Sequence, residues 1–344
     1  SEFCNLVKLV LQIDVKNKTK RCNFVLMIVI TGARGFIGSN LVQSLNNEGF
    51  TQLILVDELE KTAKDSNLES LQFEKSIHRS TFISWLSEHF ELVDFIFHLG
   101  ARTDTTELDE TIFNQLNLNY SKALFKICTE HQIPVVYASS AATYGDGNLG
   151  YNDTKEIKQL KPLNPYGWSK QNFDLWVNEQ TNTPPFWAGL KFFNVYGKHE
   201  NHKGRMASVI LHAYKQISTT KRMQLFMSHR EDVANGEQKR DFIAVEDVVN
   251  ICIFFYKNQK FSGLYNVGTG QARSFNDLVS AVFKSLNEEI DIEYIPTPLD
   301  IRHAYQYFTQ ADMNKLRSVG YSKAFLSLED GVKKYIQAYL SPSS

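Results

Sequence analysis

A glycine-rich turn constrains the fold of this chain more than any other feature. The apolar run LMIVI comes directly before TGARGFIG, and a helical pattern then continues to Gly49. A buried strand, a glycine turn and a helix in this order open a dinucleotide-binding βαβ unit. The spacing, Gly32-x-x-Gly35-x-x-Gly38, differs from the Gly-x-Gly-x-x-Gly pattern. It still lets backbone N–H groups approach a pyrophosphate at the start of a helix.

Apolar runs and helical patterns alternate along the rest of the chain. Further buried strands are predicted at 52–57, 93–101, 133–140, 186–194 and 263–268. Helices are predicted at 109–132, 165–181, 206–218, 245–258, 274–286, 309–318 and 327–340. This alternation is typical of an α/β fold with a doubly wound parallel sheet of the Rossmann type.

The positions of these elements also predict a division of the chain. We assign residues 27–194 to the dinucleotide-binding domain, with returning elements at about 240–268. Residues 195–239 and 269–344 are assigned to a smaller, mixed substrate-binding lobe. Residues 1–26 have a short apolar run interrupted by charges, and we interpret them as an upstream extension rather than a signal or membrane helix.

Composition limits the classes of partner. A formal net charge of −1 gives no general attraction for nucleic acid or an anionic membrane, and 43% hydrophobic residues suit a sizeable soluble core. The cysteines are widely spaced and form no Cys-x-x-Cys pair, which argues against a zinc site or a disulfide framework: Cys4, Cys22, Cys128 and Cys252. We expect no metal and a cytoplasmic location.

An acidic residue ends the second predicted strand. Asp57 follows Gly32 by 25 residues, where a carboxylate can hold a ribose hydroxyl of a dinucleotide. Asp57 and Glu58 would repel a 2′-phosphate on that ribose, whereas Arg34 and Lys64 could pair with one. The two basic residues favour NADP, and NAD remains the alternative.

A tyrosine and a lysine stand four residues apart near the middle of the chain. Tyr166 and Lys170 share one face of a predicted helix, and Ser140 ends the strand before it. A nearby ammonium favours phenolate, and a serine hydroxyl can hydrogen-bond a reacting alcohol. Such a pair can also be a core tyrosine beside a surface lysine, so the surrounding sequence has to decide.

The segments TGARGFIG, SSAATYG, YGWSK and FFNVYG together resemble the extended short-chain dehydrogenase/reductase family, which contains nucleotide-sugar epimerases and dehydratases. The resemblance runs from Met27 almost to the end of the chain. A narrower resemblance is to the ADP-heptose 6-epimerases of this family, which serve lipopolysaccharide core synthesis. It is carried by HLGARTDTTE, FNVYGKHENHKGRMASV, KRDF and YQYFTQADMNKLRSVGY.

This resemblance implies roles for individual residues. The catalytic set would be Ser140, Tyr166, Lys170 and Lys203. Cofactor contacts would come from Gly32, Arg34, Gly35, Phe36, Ile37, Gly38, Asp57, Glu58, Lys64, Leu99, Gly100, Ala101, Arg102, Thr103, Asn117, Tyr166, Lys170 and Val195. Substrate contacts would come from Asn194, Arg205, His212, Phe226, Arg240 and Tyr305. The implied substrate is ADP-heptose, and the implied assembly is a homo-oligomer, a pentamer being one form.

The resemblance implies a specific catalytic role for Lys203. Epimerisation at C6 passes through a ketone whose oxygen changes position when the other face of the carbon is presented. Tyr166 can serve one orientation, and an amine from another segment can serve the other. On residue type alone, Lys203 would be a solvated loop lysine or a phosphate contact.

Two rival interpretations stay open at this level. The first is another nucleotide-sugar epimerase or a dehydratase, although a dehydratase would want an acidic residue where the chain has Ala141, Ala142 and Thr143. The second is a non-catalytic dinucleotide-binding interaction protein. The segment 227–239 is longer and more charged than the resemblance implies, and Arg102 is an unexpected charge near the cofactor.

Overall fold

A computed structural model describes residues 27–60, 62–302 and 305–340, so the predicted extension at 1–26 lies outside the described residues. The central feature is a seven-stranded sheet with the order β10-β6-β5-β4-β1-β2-β3. Every neighbouring pair in it is parallel. The predicted doubly wound fold is therefore confirmed.

The large sheet contains β1 (Met27–Thr31), β2 (Leu53–Asp57), β3 (Lys75–His78), β4 (Val93–His98), β5 (Val135–Ser140), β6 (Trp187–Phe192) and β10 (Gly263–Val267). A three-stranded sheet joins β7 (Asn194–Tyr196), β9 (Lys239–Ala244) and β11 (Ala272–Ser274), and a two-stranded sheet joins β8 (Met223–Phe226) and β12 (Ile292–Ile295). These small sheets form the mixed part of the fold.

The helices are α1 (Phe36–Asn47), α2 (Arg79–His89), α3 (Glu110–Phe113), α4 (Tyr120–Glu130), α5 (Pro165–Asn178), α6 (Val209–Thr220), α7 (Val245–Lys257), α8 (Phe275–Ser285), α9 (Leu299–Arg302), α10 (Asn314–Ser318) and α11 (Leu328–Tyr335). A π-helical segment, Asn114–Asn119, connects α3 to α4. No helix in the described part of the chain is long and apolar enough to cross a membrane.

The large sheet is covered on both faces, which explains its continuous apolar strands. In β1, Ile28 and Ile30 pack into one hydrophobic cluster with α1 and α7, and Val29 packs into a second cluster with α2, α4 and α5. Side chains alternate between the two faces because the strand period is two. A third cluster joins α6, α8 and α11 beside the small sheets.

The structure differs from the predicted elements at several places, and helix α2 and strands β8, β9, β11 and β12 were also not predicted. Strand β3 was not predicted, because its sequence KSIH is short and only partly buried at the sheet edge. The predicted helix at 206–218 begins at Val209, after Ser208 caps it by accepting the N–H of Leu211. The predicted helix at 309–318 is helical only over Asn314–Ser318.

The two-sided core can be tested at one phenylalanine of β4. Phe97 is fully buried, so Phe97→Ala should lower the free energy of unfolding by about 3–5 kcal/mol through lost burial and an unfilled cavity. Phe261→Ala is the matched control, since that ring is 54% exposed, and it should change stability by less than about 0.5 kcal/mol. Urea titration followed by circular dichroism measures both. Equal losses would contradict the assigned core.

Candidate functional site

The glycine turn leaves no room for side chains where it meets the end of β4. Gly32 has φ of 68°, and a Cβ there would lie 2.6 Å from the Cα of Gly100. A Cβ on Gly38 would lie 2.1 Å from the carbonyl oxygen of Gly32. Gly35 at the N-cap of α1 has no side chain to accept the first helical N–H groups. The turn therefore presents free backbone donors, the arrangement that suits a pyrophosphate.

Asp57 joins the glycine turn to the end of β2. Its carboxylate accepts the backbone N–H of Arg34 and that of Glu58, each at 2.9 Å. The ammonium of Lys64 lies 3.6 Å from the same carboxylate and is one-third exposed. The predicted ribose-binding acid is thus placed beside the turn, with one partly exposed cation against it.

The cations around Asp57 differ in how many of the protein's own groups bind them. The Arg34 guanidinium is buried, donates to the carbonyl oxygens of Glu58 and Glu60, and pairs with Asp65. This engagement ties Arg34 into the protein. Arg79 begins α2 and pairs with the Glu58 carboxylate while its side chain remains 40% exposed.

Arg79 was not among the predicted site residues. It follows β3, the edge strand without an apolar signature, so its position at the carboxyl edge of the sheet was not visible in the sequence.

A buried hydrogen-bond chain supports the turn from below. Gly100 N–H donates to Thr31 Oγ1 at 3.0 Å, and Thr31 Oγ1 lies 2.7 Å from His98 Nδ1. The other ring nitrogen of His98, Nε2, lies 2.8 Å from Ser121 Oγ, so both ring nitrogens have a hydroxyl partner. Burial, with Lys170 nearby, lowers the pKa of His98 to about 3, which keeps the ring neutral.

The predicted segment from Leu99 to Thr103 is fixed by an asparagine. Asn117 accepts the Arg102 N–H at 2.8 Å, donates to the Arg102 carbonyl at 2.9 Å, and donates to Ser169 Oγ at 3.0 Å. The loop after β4 is thereby attached to α5. The Arg102 side chain lies outside, 3.5 Å from Asp104, in an exposed pair.

Ser140, Tyr166 and Lys170 meet at the carboxyl end of β5. Asn164 caps α5 by accepting the Gly167 N–H, which places Tyr166 in the first turn. Burial raises the pKa of Tyr166, and a hydrogen bond with Ser140 opposes the increase.

Lys170 is also buried and donates to the Ala138 carbonyl at 2.8 Å. Burial lowers its pKa to about 8, against the attraction of Asp174. The predicted proton-transfer set is brought together by β5 and α5.

Lys203 is not a solvated lysine. Its 3₁₀ segment, Asn201–Met206, places the ammonium 5.1 Å from the centre of the Phe36 ring, at the first residue of α1. Burial lowers the pKa of Lys203, and Glu200 opposes the decrease. Glu200 is fully buried and accepts the Ser208 N–H and hydroxyl at 2.7 and 2.6 Å. The lysine is therefore held beside the glycine turn.

Arg240 is a buried cation on β9. Its guanidinium donates to the carbonyls of Lys239 and Gln306, and lies 5.6 Å from the ring centres of both Phe275 and Tyr305. In the described residues it forms no ion pair with a carboxylate, and burial lowers its pKa. A buried guanidinium supplied only with carbonyls and aromatic faces is suited to receive an anion.

The other predicted substrate residues lie at separate points. Asn194 begins β7 and accepts from Thr309 Oγ1 at 3.4 Å, with Val195 next to it. Arg205 and His212 are exposed, before and within α6, and Phe226 is half-buried at the end of β8.

Two aromatic residues beside Tyr305, His229 and Tyr307, were not among the predicted site residues. The Tyr307 hydroxyl accepts the His229 N–H at 2.8 Å, and the His229 ring centre is 5.1 Å from Tyr307 and 6.0 Å from Tyr305. The alternating tyrosines of AYQYF were a possible signal. The long loop 227–239 is thus attached to the aromatic residues around Arg240.

Residues 28–268 match the NAD dependent epimerase/dehydratase family. ADP-L-glycero-D-manno-heptose-6-epimerase of Fusobacterium nucleatum is 45% identical over 326 residues, covering 92% of this chain and 98% of that protein. The enzyme of the same name from Nitratidesulfovibrio vulgaris is 46% identical over 319 residues, with the same coverage.

A solved structure gives the same family. The crystal structure of Helicobacter pylori ADP-L-glycero-D-manno-heptose-6-epimerase superposes with a TM-score of 0.77 at 30% identity, covering 91% of this chain and 96% of that one. The predicted family is confirmed: this chain belongs to the NAD dependent epimerase/dehydratase family, and its cofactor is a nicotinamide dinucleotide.

Proposed function

We propose that this protein interconverts ADP-D-glycero-D-manno-heptose and ADP-L-glycero-D-manno-heptose by epimerisation at C6, for the heptose of the lipopolysaccharide core. Relatives that are 45–46% identical over nearly the whole chain are named as ADP-L-glycero-D-manno-heptose-6-epimerases, which supports this substrate. The observation that carries the proposal is the position of the partly buried Lys203 against the Phe36 ring at the glycine turn. It gives the site a second proton-transfer group, on a segment separate from Tyr166.

The residues divide the chemistry in the following way. The nicotinamide, when bound, supplies the hydride acceptor and donor for C6. Tyr166 exchanges the hydroxyl proton of one epimer, with Lys170 favouring its phenolate and Ser140 hydrogen-bonding the substrate oxygen. Lys203 exchanges the hydroxyl proton of the other epimer. A lysine whose pKa is lowered by burial is suited to this, because it gives up its proton more readily than a solvated lysine does.

Substrate binding rests on Arg240 and its aromatic neighbours. The buried guanidinium is the proposed partner of the diphosphate, because its fork can bind two oxygens at once. Tyr305 lies beside it, and Asn194, Arg205, His212 and Phe226 are proposed to complete the sugar and nucleotide contacts.

We propose NADP as the cofactor. Lys64 and Arg79 are partly exposed cations facing the two acids at the end of β2, and they can turn towards a 2′-phosphate. Arg34 is proposed to shape the turn instead, since its guanidinium is already bound by Asp65 and two carbonyl oxygens.

A dehydratase is disfavoured by the turn after Ser140. Thr143 occupies a position where an acid would be wanted, and its hydroxyl donates to the Ser140 carbonyl at 2.8 Å. We further propose a cytoplasmic homo-oligomer, a pentamer being the form to test by light scattering after size exclusion.

The function is tested by incubating the purified protein with either C6 epimer of ADP-heptose and following both by ¹H NMR. The proposal expects the same equilibrium mixture from either side. A folded, cofactor-bearing protein that leaves both epimers unchanged would overturn it.

The two proton partners can be separated by substitution. Tyr166→Phe and Lys203→Met should each slow epimerisation by about 10²–10⁴-fold, because each removes the partner of one stereochemical form. A substrate analogue with an aldehyde at C6 should still be oxidised and reduced by the Lys203→Met protein, since that reaction needs no second orientation.

Matched controls for these variants are Tyr339→Phe and Lys260→Met, both at exposed positions, and they should keep the rate. If Lys203→Met epimerises at the full rate, Lys203 is not a proton partner.

Arg240 can be tested through substrate binding. Arg240→Lys keeps the charge but loses the fork, so kcat/KM should fall by about 10- to 100-fold, as expected for charge-assisted hydrogen bonds worth about 1.5–3 kcal/mol. Steady-state kinetics measure this, and cofactor affinity should be unchanged. Arg222→Lys, at an exposed surface pair, is the control. An unchanged kcat/KM would remove Arg240 from the diphosphate site.

Cofactor preference gives a further prediction. Replacing both Lys64 and Arg79 with alanine should weaken NADP binding at least about tenfold more than NAD binding, because charge-assisted contacts with the 2′-phosphate are lost. Arg34→Ala should weaken both cofactors alike. Calorimetry on cofactor-free protein distinguishes these outcomes, and equal losses in the double variant would contradict the assignment.

A further inference from the structure

A fully buried ion pair lies behind Tyr166 and Lys170. Lys191 Nζ on β6 is 2.6 Å from Asp174 Oδ2 on α5, and both side chains are 0% exposed. Desolvating two charges costs several kcal/mol per ion, so an apolar pair could have filled this space at lower cost. Lys191 is also the one charged residue in the buried strand WAGLKF. Packing alone does not explain why a charged residue stands at this position.

Asp174 connects α5 to β5 at the level of the proton-transfer set. Its carboxylate accepts the Tyr137 hydroxyl at 3.1 Å and the Ser139 hydroxyl at 2.6 Å, besides the Lys191 ammonium. Asp174 stands four residues after Lys170 and eight after Tyr166, on one helix face. The carboxylate therefore fixes the helix turn that carries Lys170.

Lys191 connects the same carboxylate to the turn after Ser140. Its ammonium donates to Thr143 Oγ1 at 2.8 Å and lies 5.4 Å from the centre of the Tyr144 ring. The Thr143 hydroxyl in turn donates to the Ser140 carbonyl. In the sheet, Lys191 pairs with Ser139 on one side. The ion pair thus touches the supports of both Ser140 and Lys170.

We propose that Asp174 and Lys191 are positioning residues for proton transfer: Asp174 anchors the turn of α5 that carries Lys170, and Lys191 cancels its charge so that Tyr166 meets the net charge of Lys170 alone. This inference rests on the proposed role of Tyr166. It assigns neither Asp174 nor Lys191 any contact with substrate.

The effect of Lys191 on the pKa of Tyr166 follows from the charges near the tyrosine. The Asp174 carboxylate raises the pKa of Tyr166, after the larger effect of burial, and it raises the pKa of Lys170 against burial. With Lys191 protonated, the three charges sum to +1, which favours the Tyr166 phenolate. Without Lys191 the sum is zero, and Tyr166 holds its proton to higher pH.

The titratable and charged groups around the pair come from every neighbouring element. They are Tyr137 on β5, Tyr144 after it, Tyr166 and Lys170 on α5, His98 on β4, and Asp153, Asp312 and Lys315 beyond Tyr144. His98 stays neutral at the pH values of interest, because its pKa is about 3.

The test is the pH profile of kcat/KM for epimerisation by the cofactor-loaded protein. Lys191→Met should shift the acidic limb of this profile to higher pH by about one unit, which is the shift expected from one uncompensated charge nearby. The double variant Asp174→Asn/Lys191→Met, which has no charge at either position, should bring the limb back to that of the unaltered protein. Lys191→Arg, which keeps the charge, should leave it in place.

A purely structural pair would behave differently. A folded Lys191→Met protein with an unmoved limb, or a double variant shifted as far as the single one, would overturn the inference. If Lys191→Met does not fold, Asp174→Asn decides: it should move the limb down by about one unit, and an unmoved limb would overturn the inference. Activity retained by Tyr166→Phe would instead overturn the proposed role of Tyr166.

Discussion

The backbone contact between Gly32 and the end of β4 is the constraint on which the rest of the site depends. No Cβ fits at Gly32 or Gly38, so the turn closes onto Gly100 and onto its own helix. That closure places the Arg34 N–H on Asp57 and the Gly100 N–H on Thr31. It also sets Phe36, against which Lys203 lies. The proposed cofactor site and the position of Lys203, the proposed second proton partner, therefore depend on the same close packing.

The cations of this protein differ in their partners. Lys170 and Arg240 are buried and Lys203 is partly buried, and burial lowers the pKa of all three. Lys191 is more deeply buried, at 0% exposure, and is paired with the carboxylate of Asp174. The first three are the cations proposed to interact with cofactor or substrate, whereas Lys191 pairs within the protein. The partner of each cation therefore distinguishes the residues proposed for binding and proton transfer from Lys191, the residue proposed for support.

The sequence predicted the parts of the fold that have a strong local pattern. The β1–turn–α1 unit and a parallel, doubly wound sheet follow from apolar runs, glycines and a helix start, and both are present. Strand β3 was not predicted, because an edge strand needs no apolar run. Arg79, which follows it, was therefore not predicted as a site residue.

The support of the site was harder to predict than its reacting groups. Tyr166 and Lys170 carry their own spacing, but the pairing of Asp174 with Lys191 joins residues on different elements that only the sheet register brings together. The Thr31–His98–Ser121 chain is invisible for the same reason.

In the proposed mechanism, Tyr166 and Lys203 move only the oxygen-bound proton at C6, and never a proton from the carbon. This can be tested by running the interconversion to equilibrium in D₂O and examining C6 of both epimers by NMR. C6 should carry no deuterium in either epimer, because its hydrogen leaves and returns without meeting solvent. Deuterium at C6 would show that a residue deprotonates the carbon, and would contradict this mechanism.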